Sequence, residues 1–384
     1  MNNLVKFEHR IESICANAFE RADNLRDGLQ ACEGLFPTVA VSHFKAIDRK
    51  RTKRWLEQAA TEVQPRTLGT SDLADSFFLS TWDFCAENVG TIAAYTVNSK
   101  RRTCLLGVPS LVPFLSATSE SRPHVLFDLR VPITESIKSV TCLPKDIITL
   151  SGHELSEAFD LCVLDPPWYV SNYIKWIDIA GSYCKDGGII AFALLGRLTR
   201  PRADSDREEI LEYCRTRGLS VKIHKKLVLY DTPSFERHML WRAGIPPVPW
   251  KRADLVIATR DSWKPSSCSF PQPSPLPLFG QARAFGILVD IVFDRYEAAV
   301  EELLLQPSDG YWMETPSRRV PSISHCNVFT SNGAKFISPR PIDLFTALRA
   351  VKNCDESVQW TEIERLGFPI DVFGNVAKVR KRAV

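Results

Sequence analysis

Long apolar runs are missing from this chain of 384 residues. The longest run, at residues 188–195, falls well short of the roughly 20 apolar residues that a membrane-spanning helix needs. The first ten residues, M-N-N-L-V-K-F-E-H-R, carry charges where a secretory signal peptide would be apolar. We therefore expect a soluble, cytoplasmic protein without a membrane partner.

Metal-binding patterns and hydrolase signatures are also missing. Although the chain contains 11 cysteines, no two of them form a C-x-x-C pair, the close ligand spacing of zinc fingers and ribbons. Cys104 and Cys162 stand in apolar segments, where cysteine behaves as a small hydrophobic residue. A G-x-S-x-G elbow, as found in serine hydrolases, does not occur. The sequence therefore predicts no metal site, and cysteines that are mostly buried reduced thiols.

A strong net charge is lacking too. With 48 Lys and Arg against 45 Asp and Glu, the formal net charge is +3, so no global field requires a polyanionic partner. Basic residues are nevertheless clustered at 45–54, beside Trp55, and again at 196–207 and 224–226. Each cluster is typical either of a solvated surface or of a surface that follows phosphate groups. The sequence leaves both interpretations open.

A regular alternation of short apolar segments with helix-length segments is what the chain does contain. At 45% hydrophobic residues it is long enough to bury a large core. The apolar segments predict strands at 103–106, 125–127, 161–164, 188–195, 221–229 and 238–242. The central segments are apolar almost throughout, which is typical of a parallel sheet covered by helices on both faces. The expected fold class is α/β, with a doubly wound, Rossmann-like sheet.

Composition divides the chain into four regions. Residues 1–76 are expected to be a partly basic helical region, and residues 77–245 the α/β domain. Residues 246–279 form a proline-rich connector, and residues 280–384 a small α+β appendage that is a candidate for target recognition. Within these regions we expect a helix at 43–60, a short strand at 254–258, a strand at 286–293, and helices at 295–305 and 341–352.

The segment D-P-P-W-Y at residues 165–169 follows one of the predicted central strands. Ligands of open α/β sheets bind beyond the carboxyl ends of the strands, where Asp165 stands. Pro166 and Pro167 fix the backbone, so Asp165 and the carbonyl of Pro166 are suited to accept two hydrogen bonds from an NH₂ group. Trp168 offers a flat apolar face for a planar ring. The alternative is a proline turn that only ends a strand.

This segment resembles the D-P-P-[YFW] motif of amino-group methyltransferases, above all the N6-adenine methyltransferases with the S-adenosylmethionine (SAM) dependent class I fold. The resemblance covers roughly residues 77–245 and implies SAM as the cofactor. Carried over by position, it implies that Asp165 orients the amine and that Pro166 accepts a hydrogen bond from it. Pro167 would stiffen the turn, and Trp168 would stack on the flipped-out base. Tyr169 matches no motif position and is assigned to the wall of the substrate pocket.

A SAM site also needs a tight turn after the first strand and an acid after the second. Gly107, followed by Pro109 in the segment V-P-S, fits the turn, although a full G-x-G signature is absent. Asp128 lies 128 − 107 = 21 residues beyond Gly107, near the spacing of about 20 found in dinucleotide-binding folds. Asp146, in P-K-D-I, is a candidate for contact with the adenine of SAM, or is simply a turn residue.

Segments 78–84, 108–110 and 126–130 resemble one branch of the D-P-P families, which also contains enzymes that methylate a lysine amine. Three functions therefore stay open: methylation of N6 of adenine in DNA or RNA, methylation of a protein lysine, and a non-catalytic scaffold. For nucleic acid as the partner, Arg197 and Arg200 are candidates for binding the substrate, because they follow the predicted strand at 188–195 at the sheet edge of Asp165.

Overall fold

A computed structural model describes residues 3–62, 84–96, 101–116, 124–129, 140–150, 159–264, 279–284, 287–293, 326–330, 335–338 and 340–350. These residues fall into two compact units. The first contains the described residues within 1–62, 82–232 and 248–275, and the second those within 233–247 and 276–384. The sequence motif at 78–83 and the predicted helix at 295–305 lie outside the described residues.

The N-terminal part of the first unit is helical. It consists of α1 (Asn3–Arg21), α2 (Leu25–Ala31), α3 (Pro37–Ile47) and α4 (Arg49–Glu62). Trp55 is buried against the rings of Phe19 and Phe44, with ring centroids 4.9 and 6.0 Å away. The prediction of one helix over 43–60 is wrong, because α3 ends before Asp48 and α4 begins after it. The carboxylate of Asp48 accepts the N–H groups of residues 50 and 51, both at 2.9 Å, and so caps α4.

The central sheet of the first unit has seven strands in the order β3-β2-β1-β4-β5-β7-β6. They are β1 (Thr103–Leu106), β2 (His124–Phe127), β3 (Val140–Leu143), β4 (Phe159–Leu164), β5 (Cys184–Leu194), β6 (Leu219–Leu229) and β7 (Arg252–Arg260). The first five are parallel, and β7 runs antiparallel between β5 and β6. The predicted Rossmann-like sheet is confirmed.

Helices cover both faces of this sheet, which is why its central strands are apolar throughout. On one face, Leu106 and Leu164 pack in a cluster with α7 (Val170–Tyr183) and α8 (Ala203–Thr216). On the other face, Leu105 and Val163 pack with α5 (Ala86–Thr96) and α6 (Val112–Ser116). Side chains alternate between the faces of a strand, so each central strand contributes to both clusters. The sheet is therefore doubly wound.

Two predictions near the end of the α/β region are wrong. Residues 238–242 belong to a helix, α9 (Ser234–Arg242), because a short apolar run does not by itself distinguish a strand from a buried helix segment. The last strand of the sheet is β7, which lies in the segment interpreted as a connector. The candidate strand at 254–258 is thus real, longer than expected, and part of the central sheet.

The described C-terminal residues of the second unit form strands and a helix. Strands β8 (Phe279–Ala284), β9 (Ile287–Val292), β10 (Val328–Thr330) and β11 (Lys335–Phe336) make an antiparallel sheet in the order β11-β10-β9-β8. A helix, α10 (Pro341–Ala350), follows where one was predicted. Among the described helices of both units, none is long and apolar enough to cross a bilayer.

Most of the described cysteines are buried, in agreement with the sequence prediction. Cys15, Cys104, Cys162 and Cys184 are buried, Cys142 is partly exposed, and none of the described cysteines is in a disulfide. In the part of the chain that the structure covers, no cluster of His, Cys, Asp or Glu side chains is arranged to hold a metal ion.

Candidate active site

Three of the residues singled out in the sequence lie in a row along the carboxyl edge of the sheet. Leu106 of β1 is in register with both Phe127 of β2 and Leu164 of β4. The next residues of these three strands are Gly107, Asp128 and Asp165. Strands lie about 4.8 Å apart, so the row spans about 10 Å. The strand order reverses between β1 and β4, and ligands of doubly wound sheets bind at such a switch point.

Asp165 is half-buried and is held by groups from two other strands. Its N–H donates to the carbonyl of Leu106, 3.3 Å away, which ties it to the end of β1. The hydroxyl of Tyr230, the residue after β6, donates to Oδ1 of Asp165 at 2.7 Å. Tyr230 is buried, and burial together with the Asp165 carboxylate raises its pKa well above the ordinary value. The phenol therefore keeps its proton and remains a donor at neutral pH.

Sequence reasoning missed Tyr230. Tyr230 directly follows β6, the edge strand of the sheet. It reaches Asp165 because β7 lies antiparallel between β5 and β6, which brings the end of β6 to the carboxyl edge. There, the carbonyl of Lys251, the residue before β7, accepts the N–H of Tyr230 at 3.0 Å. The one available signal was an aromatic residue directly after a predicted strand, at the edge where Asp165 stands.

The two prolines after Asp165 have different surroundings. Pro166 is buried and Pro167 is exposed. The carbonyl of Pro167 accepts the N–H of Tyr169 at 2.6 Å, and the carbonyl of Trp168 accepts a guanidinium N–H of Arg200 at 2.5 Å. Among the residues that the structure describes, no donor reaches the carbonyl oxygen of Pro166. That oxygen and the Asp165 carboxylate are thus two neighbouring acceptors on one stiff turn.

Trp168 is half-buried and makes contacts within the protein. Its ring meets the ring of Tyr230 edge-on, with centroids 5.7 Å apart and planes at 73°. The ammonium of Lys251 lies 3.9 Å from the centroid of the Trp168 ring and 5.5 Å from that of Tyr230. A planar substrate ring would therefore stack on the other face of Trp168, or would displace the ammonium. Lys251 is a second residue that sequence reasoning missed.

Arg200 contacts the turn that follows Asp165. Besides its bond to the Trp168 carbonyl, its guanidinium pairs with Asp206 at 2.7 Å and lies 5.6 Å from the ring centroid of Tyr169. Tyr169 is half-buried and precedes the first residue of α7. The structure thus brings Arg200 and Tyr169 together beside the site. Arg197 is exposed and lies 3.7 Å from Asp204.

The turn at Gly107 is tight, as its sequence indicated. Gly107 has φ +67°, a conformation that favours glycine, and its N–H donates to the carbonyl of Phe127 at 2.9 Å. A Cβ at this position would lie 2.7 Å from Cη2 of Trp176 on α7. Glycine is therefore required both by the backbone and by the indole that covers it. Pro109 begins the short 3₁₀ turn that follows (Pro109–Leu111).

The two acids assigned to the cofactor differ in their surroundings. Asp128 is buried, with 6% of its surface exposed, and its N–H lies 3.3 Å from the carbonyl of Leu143. A buried carboxylate at the end of β2 suits binding to hydroxyl groups. Asp146 caps a short turn instead, since its Oδ1 accepts the N–H of Ile148 at 3.1 Å. This bond supports the turn interpretation of Asp146.

No protein-family model matches the sequence, and no curated protein matches it. Among solved structures, the chain is similar to a branched-chain polyamine synthase from Thermus thermophilus, in complex with N4-aminopropylspermidine and 5'-methylthioadenosine. The sequence identity is 10% and the TM-score is 0.49, and the likeness covers 69% of this chain and 92% of that chain. It is also similar to a SAM-dependent O-methyltransferase from Thermotoga maritima, with 19% identity and a TM-score of 0.34 over 51% and 73% of the two chains. At these identities and TM-scores the likenesses assign no function.

Proposed function

We propose that this chain is a SAM-dependent methyltransferase that acts on an exocyclic amine, most simply N6 of adenine in DNA or RNA. The observation that carries the proposal is the row at the switch point. There, the paired acceptors Asp165 and the Pro166 carbonyl stand one strand away from the turn at Gly107 and two strands away from Asp128. The proposed amine site and the proposed SAM site would thus lie side by side.

The residues present fit SAM at the Gly107 end of the row. The buried Asp128 carboxylate would accept the ribose hydroxyls, as an acid after the second strand does in nucleotide-binding sheets. The left-handed turn at Gly107 would let the backbone approach the cofactor closely. When bound, SAM supplies an electrophilic methyl group on a sulfonium.

Asp165 and Pro166 would hold the amine in the orientation that attack requires. The amine of adenine shares its lone pair with the ring, and acceptors placed on both N–H groups favour the tetrahedral form that frees this lone pair. The Tyr230 hydroxyl occupies Oδ1 of Asp165 and fixes the plane of the carboxylate. The proton that the nitrogen loses after methylation would have the Asp165 carboxylate within reach.

One observation favours a second candidate, methylation of a protein lysine. The rings of Trp168 and Tyr230 already accommodate an alkylammonium group, that of Lys251, 3.9 and 5.5 Å from their centroids. An incoming lysine would have a similar shape and charge, and it would have to lose its proton before attack. The acceptors on the turn would serve it in the same way.

The test is transfer of tritium from labelled SAM to DNA, RNA and protein acceptors, offered separately to the full chain. We expect label in nucleic acid, lost by at least about 100-fold in Asp165→Ala, because a group that stabilises the transition state directly is worth about that much. Asp261→Ala, which removes an exposed acid at the opposite edge of the sheet, is the control, and we expect it to keep its activity. Label only in protein would exclude nucleic acid as the substrate and would support the second candidate, methylation of a protein lysine. Label in no acceptor, with a folded chain, would overturn both.

A further inference from the structure

A second candidate site lies on the same sheet edge as Asp165, in the first unit. It is a cavity of about 300 Å³ between α1, the turn after α2, the loop after β5, and the ends of β6 and β7. That volume is at the lower end of the range for small-ligand pockets. Its lining contains six basic side chains: Arg10, Arg197, Arg207, Lys225, Lys226 and Arg252.

The charge of the cavity is strongly positive, in contrast to the near-neutral chain. Glu33 and Asp254 are the acids in its lining, so the balance is 6 − 2 = +4. Asp204, which pairs with two of the basic side chains from just outside the lining, lowers it to +3. The charge around this one cavity, +3, is therefore as large as the formal net charge of the entire protein, +3. Such focusing of charge in a cleft attracts anions.

The base of the cavity is a fixed network and the rim is accessible. Arg207, whose side chain is 5% exposed, pairs with Asp254 at 2.6 Å and also donates to the carbonyl of Leu195. The side chains of Arg197 and Lys226 at the rim are 46% and 45% exposed. Lys225 is exposed as well and has no ion-pair partner among the described residues. An entering anion would therefore meet exposed cations at the rim and a buried, paired arginine below them.

The backbone around the cavity is held in uncommon conformations. In the part of the chain that the structure describes, Glu33 (φ 52°) and Lys226 (φ 54°) are the residues other than glycine with positive φ. Both line the cavity, and their side chains pair at 3.3 Å. Beside them, a Cβ on Gly196 would lie 2.4 Å from the carbonyl oxygen of Glu33. Strained residues of this kind gather at sites where function requires a fixed shape.

We propose that this cavity binds a phosphate group. Arginine and lysine side chains line it from five elements, namely α1, the loop after β5, α8, β6 and β7. This arrangement suits a tetrahedral anion with several acceptor oxygens. The inference depends on the charge and geometry of the cavity and is independent of the proposed methyl transfer. Two sources share the chemistry, a free nucleotide and the backbone of a nucleic acid. Only the second source rests on the proposed function, because a strand bound here would place its target base at Asp165 on the same edge of the sheet.

Binding is measured with the full chain by titration with inorganic phosphate, with AMP, and with a fluorescent single-stranded oligonucleotide, at low and at physiological salt. The test variant is Arg197→Ala/Lys225→Ala, which removes two exposed cations from the rim. The control is Arg215→Ala/Lys264→Ala, which removes two exposed cations at the opposite edge of the sheet. All four side chains are exposed, so we expect both variants to fold, as circular dichroism checks.

We expect the rim variant to bind at least one phosphate ligand about tenfold more weakly than the wild type, as the loss of charge-assisted hydrogen bonds implies. The control should bind as the wild type does. A tenfold loss with AMP and phosphate identifies a free nucleotide, whereas a loss confined to the oligonucleotide identifies a nucleic-acid backbone. No binding of any ligand, an unaffected rim variant, or an equal loss in the control would each overturn the proposal.

Discussion

At the scale of single residues, Asp165 depends on Tyr230. The 2.7 Å bond from the Tyr230 hydroxyl fixes the plane of the Asp165 carboxylate, as the proposed binding of an amine would require. The Trp168 ring and the Lys251 ammonium both lie against the Tyr230 ring, and the ammonium also lies over the Trp168 ring. These three side chains together form one wall of the site. Each of these side chains supports the others, and Tyr230 is their common contact.

The first prediction concerns that hydroxyl. In Tyr230→Phe we expect methyl transfer to fall about tenfold through kcat rather than KM, because the variant loosens Asp165 without removing it. Stability should fall by about 1 kcal/mol. Tyr213→Phe is the control, since Tyr213 also donates to a carboxylate, that of Asp178, between α7 and α8. Tyr213→Phe should lower the stability by a similar amount and leave the rate of methyl transfer unchanged. Equal loss of activity in both variants would contradict a positioning role for Tyr230.

The second prediction separates two reasons for glycine. Gly107→Ala meets both a positive φ and the Trp176 ring, whereas Gly187→Ala meets a positive φ (72°) with no atom within 4 Å. We expect Gly187→Ala to lower the free energy of unfolding by about 1 kcal/mol, and Gly107→Ala to lower it by about 2–4 kcal/mol. Chemical denaturation measures both. Equal losses would mean that Trp176 yields readily to a new methyl group.

At the scale of elements, the site is assembled by the loops that follow β4 and β5. The Tyr173 hydroxyl on α7 donates to the Ala193 carbonyl at 2.8 Å and accepts the N–H of Leu195 at 3.1 Å. Arg200, farther along the second loop, donates to the Trp168 carbonyl. The turn that carries Asp165 is thus braced on both sides. The chain uses neighbouring parallel strands to bring distant sequence segments together at one edge.

The third prediction concerns the pairing of β1 and β2 at the opposite edge. Buried His124, at the start of β2, accepts the N–H of Thr103 on Nδ1 at 3.2 Å, and burial lowers its pKa. An unfolded histidine titrates near about 6.5, so the neutral ring contributes its full stability above that pH and loses it as pH falls through the lowered folded pKa.

The free energy of unfolding should therefore decrease in the wild type as the pH is lowered from about 7 to about 5. In His124→Asn, whose amide oxygen replaces Nδ1 as the acceptor, we expect a smaller decrease. Gln58→Ala, a change at an exposed, uncharged side chain of α4, should retain the wild-type pH dependence. Urea denaturation at a series of pH values measures all three. A slope unaltered by His124→Asn would refute the assignment.

At the scale of the whole molecule, the first unit joins the N-terminal helices to the sheet. Gln30 of α2 is buried, donates to the Pro249 carbonyl at 2.9 Å, and accepts the Nε–H of Arg252 at 2.9 Å. These contacts connect residues more than 200 positions apart in the chain. The helices are therefore part of the structure that borders the carboxyl edge of the sheet.

The fourth prediction follows from this connection. Gln30→Ala leaves the Pro249 carbonyl and the Arg252 guanidinium without one partner each, which should cost about 1–3 kcal/mol. Hydrogen exchange should accelerate in α2 and in β7 together, because the two elements share this contact. Gln58→Ala, at an exposed glutamine of α4, is the matched control and should change neither. Faster exchange in α2 alone would show that the helices open independently of the sheet.

Features that depend on local pattern could be predicted from the amino-acid sequence. Continuous apolar strands between helices predicted the doubly wound sheet, because only a sheet covered on both faces buries such strands completely. The chain position of Asp165, Gly107 and Asp128 after strands predicted their common edge. Local patterns failed where two structures bury the same residues equally well. The apolar run at 238–242 fits a strand as well as the helix that it forms, and the prolines around β7 are typical of a connector.

Tertiary structure alone decided which side chains meet. Tyr230 and Lys251 reach the turn after β4 because β7 runs antiparallel between β5 and β6, and no local pattern encodes strand order. The basic cavity likewise combines residues from the two ends of the first unit, although its arginines and lysines looked like separate surface clusters. Hydrophobic periodicity specifies each element, whereas contacts among polar side chains depend on how the elements pack.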